Sequence, residues 1–482
     1  MRRVARIVIE AALAVGAGST HARDPLDLAP ATPERPWPLL AQTTAAMREA
    51  ANPALDTKRE YDLATLIDLA QRSNPTTREA WERARQAALA VGLVESTYLP
   101  QISIEALAGY QRTPLPIPQT LIPKGYFTSD TREIVPTLAL KWLLFDFGRR
   151  EHAETAARET SFIANVAFTG AHQKLIFAVS HDYYAFGAAR DKHHAAEQAL
   201  RTAGIDRDAV NARRANGLAT TVEVAKAARQ VAQAQFNLAR AIGAERSGYA
   251  ALLADVGVPP TVELRIAERG ADAMPRPIDD TVDRYVEQAL TNRPDIMAAL
   301  AHQRAAYATL EKERAEYRPT VALVAQAYQN IGALRSDGGA WSDVNKPGGA
   351  MFVQFSMPLF DGGRRDTQVA IARAEVDAST DQIDEATHKA TKEVVDAYLA
   401  LKTALAEHDA ANVLVEAARA AHAAGLESYR NGLGTYSALM DDENAVDQAE
   451  TERADSQANV RTAAAALAFA TGSNTEDSRA HR

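Results

Sequence analysis

The chain has 482 residues and a net charge of −9, with 46% hydrophobic but only 6% aromatic residues. An acidic balance without a basic stripe excludes a nucleic-acid-binding surface. The lack of cysteine excludes disulfides, thiolate metal sites, a cysteine nucleophile and a lipid on an N-terminal Cys.

Residues 1–22 read as a secretory signal peptide. Arg2, Arg3 and Arg6 precede a mostly apolar run, and Thr20-His21-Ala22 supplies small residues for cleavage. Glu10 interrupts that run. Residues 23–60 form a Pro-rich, polar extension. No later stretch holds the roughly 18 consecutive apolar residues of a spanning helix. An exported chain of this kind is periplasmic, secreted or a β-barrel.

From residue 61 the chain is written twice. Tyr98-Leu99-Pro100 returns as Tyr317-Arg318-Pro319, 219 positions later, and Asn74-Pro75 returns as Arg293-Pro294. LLFDFGRR at 143–150 returns as PLFDGGRR at 358–365, now at 215. Asn216-Gly217-Leu218 returns as Asn431-Gly432-Leu433 at the same 215. The first repeat covers 61–258 and the second 281–472. A linker at 259–280 joins them, and residues 473–482 form a polar tail expected to be disordered.

Each repeat opens with helical sequence and then changes period. Ile102, Ile104, Ala106, Ala108 and Tyr110 alternate with Ser103, Glu105 and Gly109. Leu138, Leu140, Trp142 and Leu144 alternate in the same way, as do Val321, Leu323, Ala325 and Ala327, and Val353, Phe355, Met357 and Leu359. Period two over about ten residues fits a tilted membrane strand. Four strands do not close a barrel, and open edges in lipid leave backbone groups unpaired. Several chains therefore have to share one barrel, and three would supply twelve strands. Tyr110, Trp142 and Tyr328 are its expected aromatic girdle.

Pro100 and Pro319 mark entry into the strands. Asp146, Gly148, Asp361 and Gly363 mark the exit, where glycine lets the backbone turn into a helix. The Arg pairs 149–150 and 364–365 are expected at headgroup level. Proline-free runs of 67 residues follow, Arg149 to Ala215 and Arg364 to Arg430. Each is about 100 Å long as a single helix, which implies a coiled coil or a tube wall. Leu175, Val179, Tyr183 and Phe186 carry the three- and four-residue spacing of a packing stripe. Gly217 and Gly432 end the runs, and Ala-rich helices return over 221–253 and 437–471.

No catalytic pair has convincing spacing. His181-Asp182 and His193-His194 fall inside a long helix, and Gly362-Gly363 lacks the Lys-Ser/Thr of a phosphate loop. No enzyme activity, cofactor or metal is expected. The rival to a membrane channel is a soluble periplasmic coiled-coil scaffold, which explains the helices but not the alternating segments.

The order of these motifs resembles the TolC-like outer-membrane efflux protein family, over about Tyr61 to Gly472. The duplicated FD-x-G-RR, Asn-Arg-Pro-Asp-Ile at 292–296, the Y-x-P strand entries and N-G-L before Thr-x-x-Glu-Val carry the resemblance. It implies a mixed, mainly α fold: a homotrimer with a twelve-stranded outer-membrane barrel continued by a periplasmic α-helical barrel. It implies a passive conduit in a tripartite efflux or type I secretion system. Its partners would be a periplasmic adaptor, an inner-membrane pump and outer-membrane lipid. Asn216, Gly217, Leu218, Asn431, Gly432 and Leu433 are the implied adaptor-contact tips. Glu223, Asp441 and Asp442 are the implied acids of the periplasmic constriction. The counterpart of Glu223 is Ala438, a departure from the family pattern.

Overall fold

Three of the described helices begin on a side-chain cap, at Asp62, Thr220 and Thr435. Asp62 accepts the backbone N–H of Thr65 at 2.8 Å and starts α1, Leu63–Ser73. The computed structural model describes residues 32, 58–267, 274–275 and 281–473. The expected signal peptide, most of the 23–60 extension, much of the 259–280 linker and nearly all of the tail lie outside them.

After β1 (Glu60–Tyr61) and α1 come α2 (Pro75–Glu95), β2 (Gln101–Pro116), β3 (Tyr126–Phe145), α3 (Arg149–Ala215) and α4 (Thr221–Val256). Next are β4 (Arg265–Ile266), α5 (Val282–Asn292), α6 (Pro294–Ala315), β5 (Thr320–Ser336) and β6 (Ser342–Ser356). The long α7 (Arg364–Arg430) and the returning α8 (Tyr436–Ala470) end the chain. The expected 67-residue helices are present at the expected bounds. The described residues form two units: 86–161 with 301–380, and 58–85 with 162–300 and 381–473.

In the second unit, α1, α3 and α4 bury one apolar cluster. Leu66, Leu252, Leu253, Val179 and Val256 are fully enclosed, together with Leu175, Tyr183 and Phe186 of the expected stripe. Full burial of each such aliphatic side chain contributes about 1.5–3 kcal/mol. One stretch of α3 is apolar enough by composition to cross a membrane, but Leu175, Val179, Tyr183 and Phe186 of the stripe are packed into this core. The two short-to-long helix breaks hook the returning helices. At the first, Asn74 Nδ2 donates to Asp255 O at 2.8 Å. At the second, buried Arg293 donates to Ala470 O at 3.1 Å and to the carboxylates of Asp295 and Glu393, each at 2.6 Å. The Asn-Arg-Pro-Asp run is thus a helix junction with its charge paired.

In the first unit, the four long strands form one antiparallel sheet in the order β2-β3-β5-β6. Ile104 pairs Leu138, Leu138 pairs Ala327, and Ala327 pairs Gly349, so one face is continuous across the sheet. Its rows are apolar: Ile102, Leu140, Ala325 and Met351 form one, and Trp142, Leu323 and Val353 another. The opposite face carries Ser103, Glu105, Glu133, Gln326 and Asn330. The strands run 15–20 residues, longer than the ten-residue pattern. The backbone ladder continues past the apolar rows into polar sequence, where alternation no longer reports it. β6 stops at Ser356, short of the alternating Met357 and Leu359, because Pro358 has no N–H for the ladder. Tyr328 departs from the girdle expectation. It lies mid-strand on the polar face and covers Gly348 of β6.

Pro100 and Pro319 each lie one residue before a strand, and Asp146, Gly148, Asp361 and Gly363 lie between strand and helix. The Arg pairs at these turns are not uniform headgroup anchors. Arg150 and Arg365 are buried. Arg150 donates to Asp146 Oδ2 at 2.9 Å and to the carbonyls of Thr97 and Leu143, and stacks over the Tyr98 ring. Arg365 donates to Asp361 Oδ2 at 2.6 Å and to Pro358 O, over the Tyr317 ring. The five donors of a guanidinium suit a turn whose carbonyls have left the sheet ladder. Arg149 and Arg364, one from each turn, converge on Glu316 at 2.8 and 3.4 Å.

Candidate functional site at the helical tips

Both long helices end in the same backbone device. Gly217 and Gly432 take left-handed φ values of 74° and 76°. The N–H of Leu218 then reaches Arg213 O at 2.8 Å, and that of Leu433 reaches Ser428 O at 2.9 Å. This pattern satisfies helix-end carbonyls and turns the next side chain out. Asn216 and Asn431 add side-chain bonds to Ala212 O and Glu427 O, at 2.8 and 2.9 Å. Leu218 is 67% exposed and Leu433 86%. Two apolar side chains are thus displayed on rigid turns.

The returning helices start differently. Thr220 accepts the N–H of Glu223, and Glu223 reaches back to the N–H of Thr220 at 2.6 Å, a reciprocal cap. Those bonds from the Thr220 backbone and hydroxyl hold the Glu223 carboxyl below its usual range. Thr435 caps α8 through the N–H of Ala438, with no acid to complete the box. Asp441 is exposed. Asp442 lies against the backbone of Gly425 on α7, where a Cβ would collide with its carboxylate. The three expected constriction acids therefore occupy three different environments.

The tips of the two hairpins pack on each other through Val210, Ala219, Ala227, Tyr436, Leu439 and Met440. Beside this cluster lies an acid pair, one member of which, Asp206, the sequence reading passed over. Glu443 of α8 is 6% exposed and lies beside the carboxyl of Asp206 on α3. Burial, with Asp206 and Asp447 nearby, pushes the Glu443 carboxyl up to about 8, and burial raises Asp206 as well. Glu443 Oε2, Tyr429 Oη, Tyr436 Oη and Arg213 Nε are all buried with no hydrogen-bond partner among the described residues. Arg213 instead stacks on the Tyr429 ring at 4.7 Å. The sequence did carry a signal. Asp206 falls on the face of buried Ala203 and Val210, and Glu443 follows buried Leu439 by one turn.

The model of the outer membrane efflux protein family matches residues 66–258 and 285–473. The chain belongs to that family. This outer membrane efflux protein is 30% identical over 404 residues to Protein CyaE of Bordetella pertussis, covering 83% of this chain and 80% of that one. It is 24% identical to Outer membrane protein OprJ of Pseudomonas aeruginosa, over 85% of each chain. Its fold matches the crystal structure of a membrane protein from Pseudomonas aeruginosa with a TM-score of 0.71 at 22% identity, covering 90% and 99% of the two chains. The protein is an outer-membrane channel with a periplasmic helical extension, of the kind that serves efflux or type I secretion. Its family is one of transport channels rather than enzymes.

Proposed function

We propose that three copies of this chain close one twelve-stranded barrel and continue it as an α-helical tunnel, passing cargo from an inner-membrane pump through a periplasmic adaptor. One observation carries the reading: β2 and β6 end the sheet, and neither outer edge is paired among the described residues. In lipid such edges have to be closed by another chain. The two sequence repeats, 61–258 and 281–472, each contribute one hairpin of strands and one of helices, joined by the 259–280 linker. The strand-to-helix turn, at Asp146 and Gly148 and again at Asp361 and Gly363, would then occur six times around the ring, with six strand entries at Pro100 and Pro319.

In this reading Asn216, Gly217, Leu218, Asn431, Gly432 and Leu433 are the adaptor contacts, supported by the exposure of the two leucines on rigid turns. Asp441 lines the constriction, with Asp442 and Glu223 beside it. A ring of carboxylates repeated by three-fold symmetry favours cations. Cargo choice rests with the pump.

The native mass of the protein extracted by detergent from outer membranes tests the assembly. A mass near three times that of the chain is expected, and a water-soluble monomer would remove the shared barrel in favour of a scaffold. Leu218→Glu and Leu433→Glu test the tips. Each is expected to abolish export while trimer yield stays unchanged. Full export would remove the adaptor assignment.

A further inference from the structure

The apolar face of the sheet changes character at the end away from the helices. Along it Ala108 pairs Ile134, and Ile134 pairs Ile331. In the next row Tyr110 pairs Arg132, and in the row after that Arg112 pairs Asp130, which pairs Arg335. From Ile102 to Tyr110 the strand rises roughly 27 Å, about 20 Å of bilayer depth once tilted. Three guanidiniums thus stand on the apolar face where its hydrocarbon-length band ends.

They are organised by one carboxylate and one ring. Asp130 is 1% exposed and accepts from Tyr110 Oη at 2.8 Å and Arg335 Nε at 2.7 Å, with Arg112 Nε at 3.4 Å. Trp341, in the turn before β6, has Arg132 at 4.5 Å and Arg335 at 4.7 Å from its ring. A ring occupies guanidinium faces and leaves the in-plane N–H edges available. Arg132 has no carboxylate within ion-pair distance among the described residues, and both it and Arg112 are exposed. With Asp130 and, two strands along the Arg132 row, Asp343, the three guanidiniums leave an excess of one positive charge.

We propose that Arg112, Arg132 and Arg335, set by Asp130 and Trp341, form a binding site for the phosphate groups of an outer-leaflet lipid headgroup. The inference rests on the barrel reading, which turns this face toward lipid. Guanidinium edges bind phosphate oxygens in pairs, and the apolar rows below would take the acyl chains. Charge and depth together favour a lipid phosphate over a free anion, which needs no apolar neighbour.

The test uses the full-length protein in detergent with bis-phosphorylated lipid A, its dephosphorylated form, and inorganic phosphate as competitor. Bound lipid and assembly mass are read together by native mass spectrometry. The wild type is expected to retain the bis-phosphorylated lipid at least tenfold more strongly than the dephosphorylated form, with millimolar phosphate displacing little. The double variant Arg112→Gln, Arg132→Gln is expected to lose that preference with assembly mass unchanged. Trp341→Leu, which keeps every charge, is expected to lose part of it. Equal retention of both lipids, equal retention by the double variant, or full displacement by inorganic phosphate would overturn the site while leaving a trimer mass intact. A monomeric mass for the wild type would instead bring down the barrel reading beneath it.

Discussion

The strand–helix turns and the helical tips both reverse or redirect the chain, yet they are built in opposite ways. At the turns, Arg150 and Arg365 are buried with a carboxylate and backbone carbonyls as partners. At the tips, four buried polar atoms lack any partner among the described residues, and two carboxyls share a contact. Unmade buried hydrogen bonds each cost about 1–3 kcal/mol. The turn is therefore a fixed joint, and the tip is a place where packing and proton occupancy compete.

The largest effect that would break the comparison lies at the turns. Arg150→Ala strands Asp146 as a buried charge, and Arg365→Ala does the same to Asp361, though Asp361 is less enclosed. Breaking a buried pair such as Arg150–Asp146 costs about 3–5 kcal/mol. Arg150→Ala should lower the yield of membrane-inserted protein more than Arg365→Ala, measured by quantitative immunoblot of outer-membrane fractions. Equal wild-type yields would mean the turns are not fixed joints.

The tips predict a pH effect with a definite sign. Glu443 binds its proton more tightly folded than unfolded, about 8 against 4.5. The folded state then holds more protons between those values, so stability falls as pH rises through the window. His422 of α7 and Asp447 of α8 also face the pair. Protection factors over residues 426–447, with the intrinsic pH dependence of amide exchange divided out, should fall from pH 5 to pH 8 in the wild type. Glu443→Gln should flatten that dependence and slow exchange at pH 8. An unchanged slope would place the titration elsewhere.

A smaller effect sharpens the difference between the two tips themselves. Thr220 belongs to a reciprocal cap and Thr435 does not. Thr220→Ala should cost about 1–2 kcal/mol and Thr435→Ala about half of that, by thermal melting. Smallest of all, Leu433→Glu should change stability by no more than about 0.5 kcal/mol, because its side chain touches little in the folded chain.

Local rules made the helices and strands legible in the sequence. A proline-free, Ala-rich run between two glycines is a helix whatever surrounds it, which is why the bounds Arg149–Ala215 and Arg364–Arg430 were readable. Period two placed Ile102, Leu138, Leu323 and Val353 on one sheet face, and glycine after a long helix located both tips. What stayed hidden depended on residues distant in sequence. Tyr328 sits mid-strand on the polar face because β6 offers Gly348 beneath it. Arg150 and Arg365 are buried because turn carbonyls, absent from any periodicity, needed donors. Asp206 and Glu443 lie 237 positions apart, and only the packing of two hairpin tips brings their carboxyls into one low-dielectric space. Periodicity assigns a side chain to a face. Which atoms meet across that face, and what it costs to keep a charge there, is decided by the packing of elements that the sequence order separates.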